Sequence, residues 1–238
     1  KGVTRVVNGA FIYIDDTRFI DNYIGLSLDY DFINPGAPTT SALVMNTGFT
    51  STGLLDHPTY HTLNKKGYSG ISSSSISESF GDLNKAANQF IGLGYGITYS
   101  NYSVTSVVKS KFENILPLSY YNGSGIGINQ ANQSAFLNVG SISDPNVNLF
   151  TNVYTGINAH HNTTVHKAKM SNVTFGILYD ASHEVGSIKF LENNITAKKI
   201  GISVNNTSGF LNSQISYDTI TEGTGSNQFK GIYVNSGN

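Results

Sequence analysis

The segment FLENNITAKKIGI, residues 190–202, contains the two sequence features that decide the fold. It begins with an apolar-x-x-Asn-x-apolar pattern over residues 190–195 and ends with a glycine followed by an aliphatic residue, Gly201-Ile202. The next segment, ISYDTITEGTGSNQFKGI at residues 215–232, has the same features in the same order, with Asp218 in place of asparagine. Two features that recur in a constant order predict a repeat architecture.

Further copies of both features occur along the chain. The glycine–aliphatic pair recurs at Gly25-Leu26, Gly96-Ile97, Gly127-Ile128, Gly156-Ile157 and Gly176-Ile177. From Gly127 to Gly231 the successive glycines are 29, 20, 25 and 30 residues apart. The apolar pattern recurs over residues 19–24, and looser copies cover residues 112–115 and 170–173. These spacings predict a coil of roughly 20–30 residues that contains one loop of variable length.

The pattern has a physical interpretation as two short strands that meet at a sharp corner. Each strand directs alternate side chains inward, and asparagine tolerates the left-handed backbone that a corner requires. Its amide can also bond the asparagine one coil above or below, and we expect the glycine to serve the following corner. No coil buries its apolar face alone, so stacking is required. We therefore predict an all-β, right-handed parallel β-helix of eight to ten coils, with a β-sandwich as the alternative.

Residues 46–87 depart from the repeat. They contain threonine–glycine and serine-rich stretches, including Ser72-Ser73-Ser74-Ser75. We expect an irregular, elaborated loop here that projects from a single β-helix domain spanning residues 1–238. The chain ends shortly after a predicted strand, and we expect it to be a segment of a longer protein.

Composition narrows the classes of function. Charged residues make up 12% of the chain, its net charge is −1, and no basic stripe is present, which argues against nucleic acid as a partner. No apolar run is long enough to span a membrane. Cysteine is absent, which excludes disulfides and thiolate metal sites. The amide-rich, low-charge composition favours an extracellular or cell-surface location.

The repeat resembles the parallel β-helix repeats of the pectate-lyase-like superfamily. The resemblance is good for residues 88–238 and 11–30, poor for residues 31–87, and concerns architecture alone. This superfamily includes polysaccharide lyases, glycoside hydrolases, phage tailspikes and bacterial surface adhesins, so the fold does not decide the function. Its hydrolases carry an Asn-Thr-Asp element, an Asp-Asp pair and a Gly-His-Gly element, of which only the pair, Asp15-Asp16, is present here. Its pectate lyases use acidic Ca²⁺ ligands and an arginine base.

Acidic residues concentrate near the start of the chain and form the candidate catalytic group. This group consists of Asp15, Asp16, Asp29 and Asp31, with Arg18 nearby. Such a group can supply an acid and a base or bind Ca²⁺, although turn-forming aspartates at coil corners are the favoured interpretation. His57 and His61 have i, i+4 spacing, but Pro58 argues against a helix that would bring them together, so we predict no other metal.

Tyrosines form the candidate glycan-binding group. They are Tyr95, Tyr99, Tyr102, Tyr120, Tyr121 and Tyr154. Rings on a solenoid face can stack on the apolar faces of sugars, or they can simply reinforce the sheet.

The sequence favours a structural or adhesive surface solenoid without enzymatic activity. Its expected partners are a glycan or another cell-surface polymer, together with neighbouring segments of the same protein or identical subunits. The alternatives are a carbohydrate-active enzyme, either a lyase or a hydrolase, and a phage tailspike-like fibre. Convergence of the acidic group in a groove favours the enzyme, whereas scatter over the surface favours the structural protein.

Overall fold

The structure is a computed structural model that describes residues 3–6, 11–29, 41–53, 66–74, 77–100, 104–131, 136–141, 147–180, 186–206, 212–225 and 228–236. Asp31 and Tyr102, from the two candidate groups, lie outside these ranges. Every regular element in the described ranges is a β-strand. The chain is therefore all-β, as the sequence predicts.

The strands are short, with two exceptions near the C-terminal end. The first eight are β1 (Val3–Val6), β2 (Phe11–Asp15), β3 (Arg18–Ile20), β4 (Ile24–Asp29), β5 (Ser41–Met45), β6 (Gly48–Thr50), β7 (Ser69–Ser74) and β8 (Ser77–Phe80). The next eight are β9 (Asn88–Ile91), β10 (Tyr95–Ser100), β11 (Val104–Val107), β12 (Ser110–Glu113), β13 (Ile126–Gln130), β14 (Phe136–Val139), β15 (Leu149–Thr151) and β16 (Thr155–Ala159). The last seven are β17 (Thr163–His166), β18 (Lys169–Asp180), β19 (Ser187–Leu191), β20 (Asn194–Asn206), β21 (Asn212–Ser216), β22 (Thr219–Glu222) and β23 (Lys230–Ser236).

These strands pair in three ladders. The first ladder joins β1, β4, β7, β10, β13, β16, the C-terminal parts of β18 and β20, and β23. The second joins β2, β5, β8, β11, β14, β17, β19 and β21. The third joins β3, β6, β9, β12, β15, the N-terminal parts of β18 and β20, and β22. Every pairing between these strands is parallel, so the β-sandwich alternative, which needs antiparallel sheets, is wrong.

The chain visits the three ladders in a constant order, and we call each successive set of three strands a rung. Within the described residues eight rungs follow one another, and β23 then adds a strand to the first ladder. The long strands β18 and β20 pair with the third ladder near their start and with the first ladder near their end. They thereby unite these two ladders in one 15-stranded sheet, while the second ladder is a separate 8-stranded sheet.

The aliphatic residue of the glycine–aliphatic pair forms a continuous column inside the first ladder. Its members are in register from rung to rung and are fully buried: Leu26, Ile71, Ile97, Ile128, Ile157, Ile177 and Ile202. Ile71 follows Gly70, a further copy of the pair that the sequence analysis missed. The predicted marker therefore identifies one inward position in each rung, because alternate side chains of a strand share a face.

A column of aromatic rings fills the interior beside the third ladder. Phe19, Phe49, Phe90, Phe112 and Phe150 stack in sequence with ring centroids 4.9, 5.0, 4.8 and 4.7 Å apart. Their planes are within 9° of parallel. The parallel register of the third ladder places each ring directly above the last, and Met170 and Ile195 continue the column. The rings are buried, so this column is a large part of the core.

The glycines of the glycine–aliphatic pair make room for this column. A Cβ on Gly96 would lie 2.6 Å from the Phe112 ring and 2.5 Å from the Gly127 carbonyl oxygen, and one on Gly127 would lie 2.9 Å from Phe150. These glycines do not adopt the left-handed backbone region. The expectation that they serve a corner is therefore wrong, since they are needed for close packing between the first and third ladders.

Stacked asparagines form part of the corner between the third and first ladders, as the looser copies of the pattern over residues 112–115 and 170–173 predict. In the copies over residues 190–195 and 215–220 the left-handed residues are Glu192 and Tyr217, so the expectation that Asn193 and Asp218 adopt this region is wrong. Asn114, Asn152 and Asn172 all have φ between 53° and 55°. The Asn152 amide donates to Asn114 Oδ1 at 2.7 Å, and the Asn172 amide donates to Asn152 Oδ1 at 3.1 Å. Asparagine suits this position because it tolerates the left-handed region and bonds its equivalent on the next rung.

A second, buried set of asparagines stabilises the corner between the second and third ladders. Asn148 Oδ1 accepts a hydrogen bond from the Ser110 N–H, and its amide donates to the Val107 carbonyl. Asn88 and Asn193 make the equivalent pair of bonds to the rung before their own. Each side chain thus satisfies two backbone groups of a tight turn that would otherwise be buried without partners.

The prediction of an irregular loop over residues 46–87 is wrong where the structure describes this region. Strands β6, β7 and β8 lie within it and take regular positions in the three ladders. Serine occupies inward positions in β7, where Ser69 and Ser73 are buried on either side of Ile71. Small polar residues therefore replaced the apolar alternation by which strands are recognised. Residues 54–65 and 75–76 lie outside the described ranges.

Candidate functional site

The described members of the acidic group lie on strands of two different ladders. Asp15 ends β2 in the second ladder and bonds Lys85 Nζ at 2.9 Å, and this bond holds the pKa of its carboxyl below the usual value. Asp29 ends β4 in the first ladder, where it is in register with Val6 and Ser74. Asp15 is thus bonded to a lysine rather than to a second carboxyl group.

Asp16 and Arg18 support the corner that follows β2. Asp16 has φ of 48°, and its Oδ1 accepts a hydrogen bond from the Asn46 amide at 3.2 Å. Arg18 donates to the Thr17 and Asn46 carbonyls, and it meets Asp16 Oδ1 only at 3.8 Å. Both side chains are more than half exposed. The favoured interpretation of these residues as corner residues fits this arrangement.

The tyrosine group divides between core and surface. Tyr99 is fully buried and Tyr95 is 6% exposed, so neither offers a ring face to a ligand. Tyr120 is exposed, and Tyr121 and Tyr154 are half-buried. Tyr121 packs edge-on against Tyr23 and Tyr68, at 5.9 and 5.2 Å between centroids. These last contacts join three rungs and are typical of reinforcement rather than ligand binding.

Tyr154 contributes to a groove along the corner between the third and first ladders. The groove has a volume of about 600 Å³, within the usual range for a ligand site. It is lined by Tyr154, Thr174, Phe175, Lys198, Lys199, Ile200, Gly225, Gln228 and Lys230. A neighbouring cavity of about 360 Å³ has Tyr154 and Tyr121 among its lining residues, so Tyr154 stands between the two. We call the 600 Å³ site the corner groove.

Two aromatic rings form the wall of the corner groove. Phe175 and Tyr154 meet edge to face, with centroids 5.4 Å apart and planes at 80°. Both are half-buried, so each ring is held by the fold and still reaches the surface. The register fixes this pair, because β16 and β18 align Thr155 with Phe175. The sequence analysis included Tyr154 but missed Phe175, which directly precedes Gly176-Ile177.

The cationic residues of the corner groove come from β20 and β23. Lys199 Nζ lies 5.9 Å from the centroid of the Phe175 ring, and Lys230 Nζ lies 3.9 Å from that of Tyr233. Ile200 is in register with Lys230, so these lysines lie on adjacent strands of the first ladder. Lys198 and Lys199 are adjacent in the sequence, whereas Lys230 joins them only through strand pairing, so the sequence analysis missed this group.

A polar cluster is buried away from the corner groove. Glu78 is 4% exposed, and its Oε2 accepts a hydrogen bond from Thr105 Oγ1 at 3.0 Å. Glu78 Oε1, Ser73 Oγ and Tyr99 Oη have no hydrogen-bond partner among the described residues. Burial raises the pKa of the Glu78 carboxyl well above its usual value. Glu78 is therefore protonated in the fold at a pH at which the unfolded chain is ionised.

This difference predicts that stability falls as pH rises. Glu78 contributes fully below its usual pKa of 4.5, and this contribution is lost as pH rises toward the folded-state pKa. The expected slope is about 1.4 kcal/mol of unfolding free energy per pH unit in that window. Glu78→Gln keeps the size and removes the titration, so urea midpoints measured from pH 4 to 8 will flatten relative to wild type. Parallel curves for the two proteins would contradict the assignment.

The described residues contain no group of three or more metal-ligating side chains and no helix that could cross a membrane. Comparison of the chain with protein-family models, curated proteins and solved structures finds no match. The corner groove is thus the strongest candidate site on the physical arguments alone.

Proposed function

We propose that this chain is a right-handed parallel β-helix, similar in architecture to the pectate-lyase-like superfamily, that acts as a structural or adhesive protein outside the cell. The three parallel ladders, their constant order and the stacked interior columns support the architecture. Stacked rungs suit an extended scaffold, because each rung contacts only its neighbours and the stack is stiff. The sparse charge and abundant amides favour a surface location.

In this proposal the corner groove binds a glycan. The observation that carries it is the half-buried pair Tyr154 and Phe175, which presents ring surface beside polar groups in a groove of ligand size. A sugar ring has an apolar face that stacks on an aromatic ring and hydroxyls that bond polar neighbours such as Thr174 and Gln228. Because successive rungs are about 4.8 Å apart, lining residues from Tyr154 to Lys230 extend the groove over about 14 Å.

Binding is favoured over catalysis for this chain. Asp15 and Asp16 lie at the corner after β2, where they bond Lys85 and Asn46, whereas Asp29 ends β4 in another ladder. None of the described residues that line the corner groove is a carboxylate. Hydrolysis of a glycosidic bond needs two carboxyl groups that flank it. The adhesive interpretation needs only the groove and the rigid stack.

The test is binding of immobilised glycans by the intact chain. We expect Tyr154→Ala and Phe175→Ala each to weaken binding about threefold to tenfold, because an aromatic contact contributes roughly 0.5–1.5 kcal/mol. Titration of the glycan that gives the strongest signal on an array of neutral and acidic oligosaccharides provides the measurement. Far-ultraviolet circular dichroism confirms that each variant is folded.

Tyr217→Ala is the matched control. Tyr217 is 87% exposed and follows the second ladder, at a different corner of the rung. Tyr217→Ala removes more exposed aromatic surface than either groove substitution. If binding were non-specific adhesion to exposed rings, this variant would therefore lose the most affinity. Equal loss of binding in Tyr217→Ala and Tyr154→Ala, or no binding to any glycan on the array, would contradict the proposal.

A further inference from the structure

The lysines of the corner groove are concentrated on one side of the aromatic pair. Lys198, Lys199 and Lys230 line the groove, and none forms an ion pair with a carboxylate of the described residues. Glu222 is in register with Ala197, next to Lys198, but it does not line the groove. Three lysines among the lining residues of one concave site favour an anionic occupant, because the local charge is unbalanced while the whole chain is close to neutral.

Two of the groove lysines, Lys199 and Lys230, also lie close to aromatic rings. Lys199 lies over Phe175, and Phe175 meets Tyr154 edge to face. A molecule that contacts Phe175 therefore has the Lys199 ammonium group near it. Lys230 is held over Tyr233 at 3.9 Å, which restricts its side chain and reduces the entropy lost on binding.

We propose that the corner groove is selective for acidic glycans, with sugar rings on Tyr154 and Phe175 and their carboxylate or sulfate groups on Lys198, Lys199 and Lys230. This inference rests on the proposed glycan binding and adds the class of ligand. An acidic sugar has both required parts, an apolar ring face and an anionic group at its edge. A simple anion offers no face for the rings, and a neutral sugar brings no negative charge to the three lysines.

The test compares polymers that differ in charge and share a backbone. Polygalacturonate and dextran sulfate are the acidic probes, and fully methyl-esterified polygalacturonate and dextran are their neutral counterparts. We expect the wild-type chain to bind at least one acidic probe about tenfold more tightly than its neutral counterpart in 50 mM salt. Raising the salt to 500 mM will reduce this preference, because exposed charges are screened. The acidic probe that binds better distinguishes carboxylate from sulfate.

The triple variant Lys198→Gln, Lys199→Gln and Lys230→Gln removes the charges and keeps the chain lengths similar. We expect it to lose about tenfold in affinity for the preferred acidic probe, since each exposed ion pair contributes only a small factor. Its affinity for the neutral counterpart will fall much less, because a neutral sugar forms no ion pair with these lysines. Tyr154→Ala will weaken binding of both members of the pair, because stacking does not depend on charge.

A second triple variant, Lys111→Gln, Lys169→Gln and Lys189→Gln, makes the same change in net charge at exposed positions outside the groove. It will retain the acidic preference. An equal loss in both triple variants means that net charge alone drives binding and overturns the inference. Binding of neutral and acidic probes with equal affinity overturns the selectivity but leaves glycan binding intact, whereas absence of binding to all four probes overturns the selectivity and counts against glycan binding as well.

Discussion

Replacement of Phe112 by alanine will lower the free energy of unfolding by about 3–5 kcal/mol. Phe112 is the fourth ring of the stacked column and is 1% exposed, with Phe90 at 4.8 Å and Phe150 at 4.7 Å. Its removal leaves a cavity that the neighbouring rungs cannot close, because the main-chain pairing of β9, β12 and β15 fixes their spacing. The loss is measured from urea-induced unfolding followed by circular dichroism, since the chain has no tryptophan.

Phe136→Ala is the matched control for this prediction. Phe136 also lies in a strand, β14, but it is 44% exposed, and its ring lies 5.5 Å from that of His161, at a right angle to it. We expect this variant to lose less than about 1 kcal/mol, as is usual for exposed positions. A loss for Phe112→Ala no larger than that for Phe136→Ala would show that the column is not a principal part of the core.

The all-β class and the parallel pairing were predictable because their signals repeat. Each glycine–aliphatic pair places an inward aliphatic residue next to a residue without a side chain, and pairs such as Gly96-Ile97 and Gly127-Ile128 prove to be in register. At the corner that contains Asn114, the side-chain amide of Asn152 on the next rung donates to the Asn114 side chain. Such repetition arises because every rung meets the same packing problem, so a single chain provides several copies of one signal.

The path through residues 46–87 was not predictable from that signal. Strand β7 places Ser69 and Ser73 at inward positions, and its stability comes from β4 and β10 on either side rather than from its own apolar pattern. The role of the ladder glycines was mistaken for a similar reason. Gly96 needs to be small because of the Phe112 ring, and that ring belongs to a strand later in the sequence.

The candidate site was even harder to predict from the sequence. The acidic group attracted attention because Asp15 and Asp16 are adjacent, yet Asp15 bonds Lys85, 70 residues away, and Asp16 supports a corner. The corner groove combines Tyr154, which directly precedes β16, with Phe175 of β18 and Lys230 of β23. Loop lengths vary between rungs, so the alignment of these residues depends on strand register that the spacing of the motifs does not determine.

The second large effect is expected at Gly81, in the turn between β8 and β9. Gly81 has φ of 101°, and a Cβ there would clash with the Val108 carbonyl oxygen on the next rung. Gly81→Ala therefore combines backbone strain with a steric overlap that only a shift of the rungs can relieve. We expect a loss of about 3–6 kcal/mol in the free energy of unfolding, measured by urea titration.

A substitution at Gly53 distinguishes the effect of backbone strain from that of steric overlap. Gly53 has nearly the same backbone angle, φ of 99°, but a Cβ there would meet no atom of the described residues within 4 Å. Gly53→Ala therefore introduces the backbone strain alone, and we expect it to cost roughly 1–3 kcal/mol. The difference between the two variants measures how tightly the Gly81 turn packs on Val108, where the Val108 N–H also donates to the Phe80 carbonyl at 2.8 Å. If both variants lose the same stability, adjacent rungs can shift easily at this corner. The stack would then not be rigid, which would contradict the adhesive proposal.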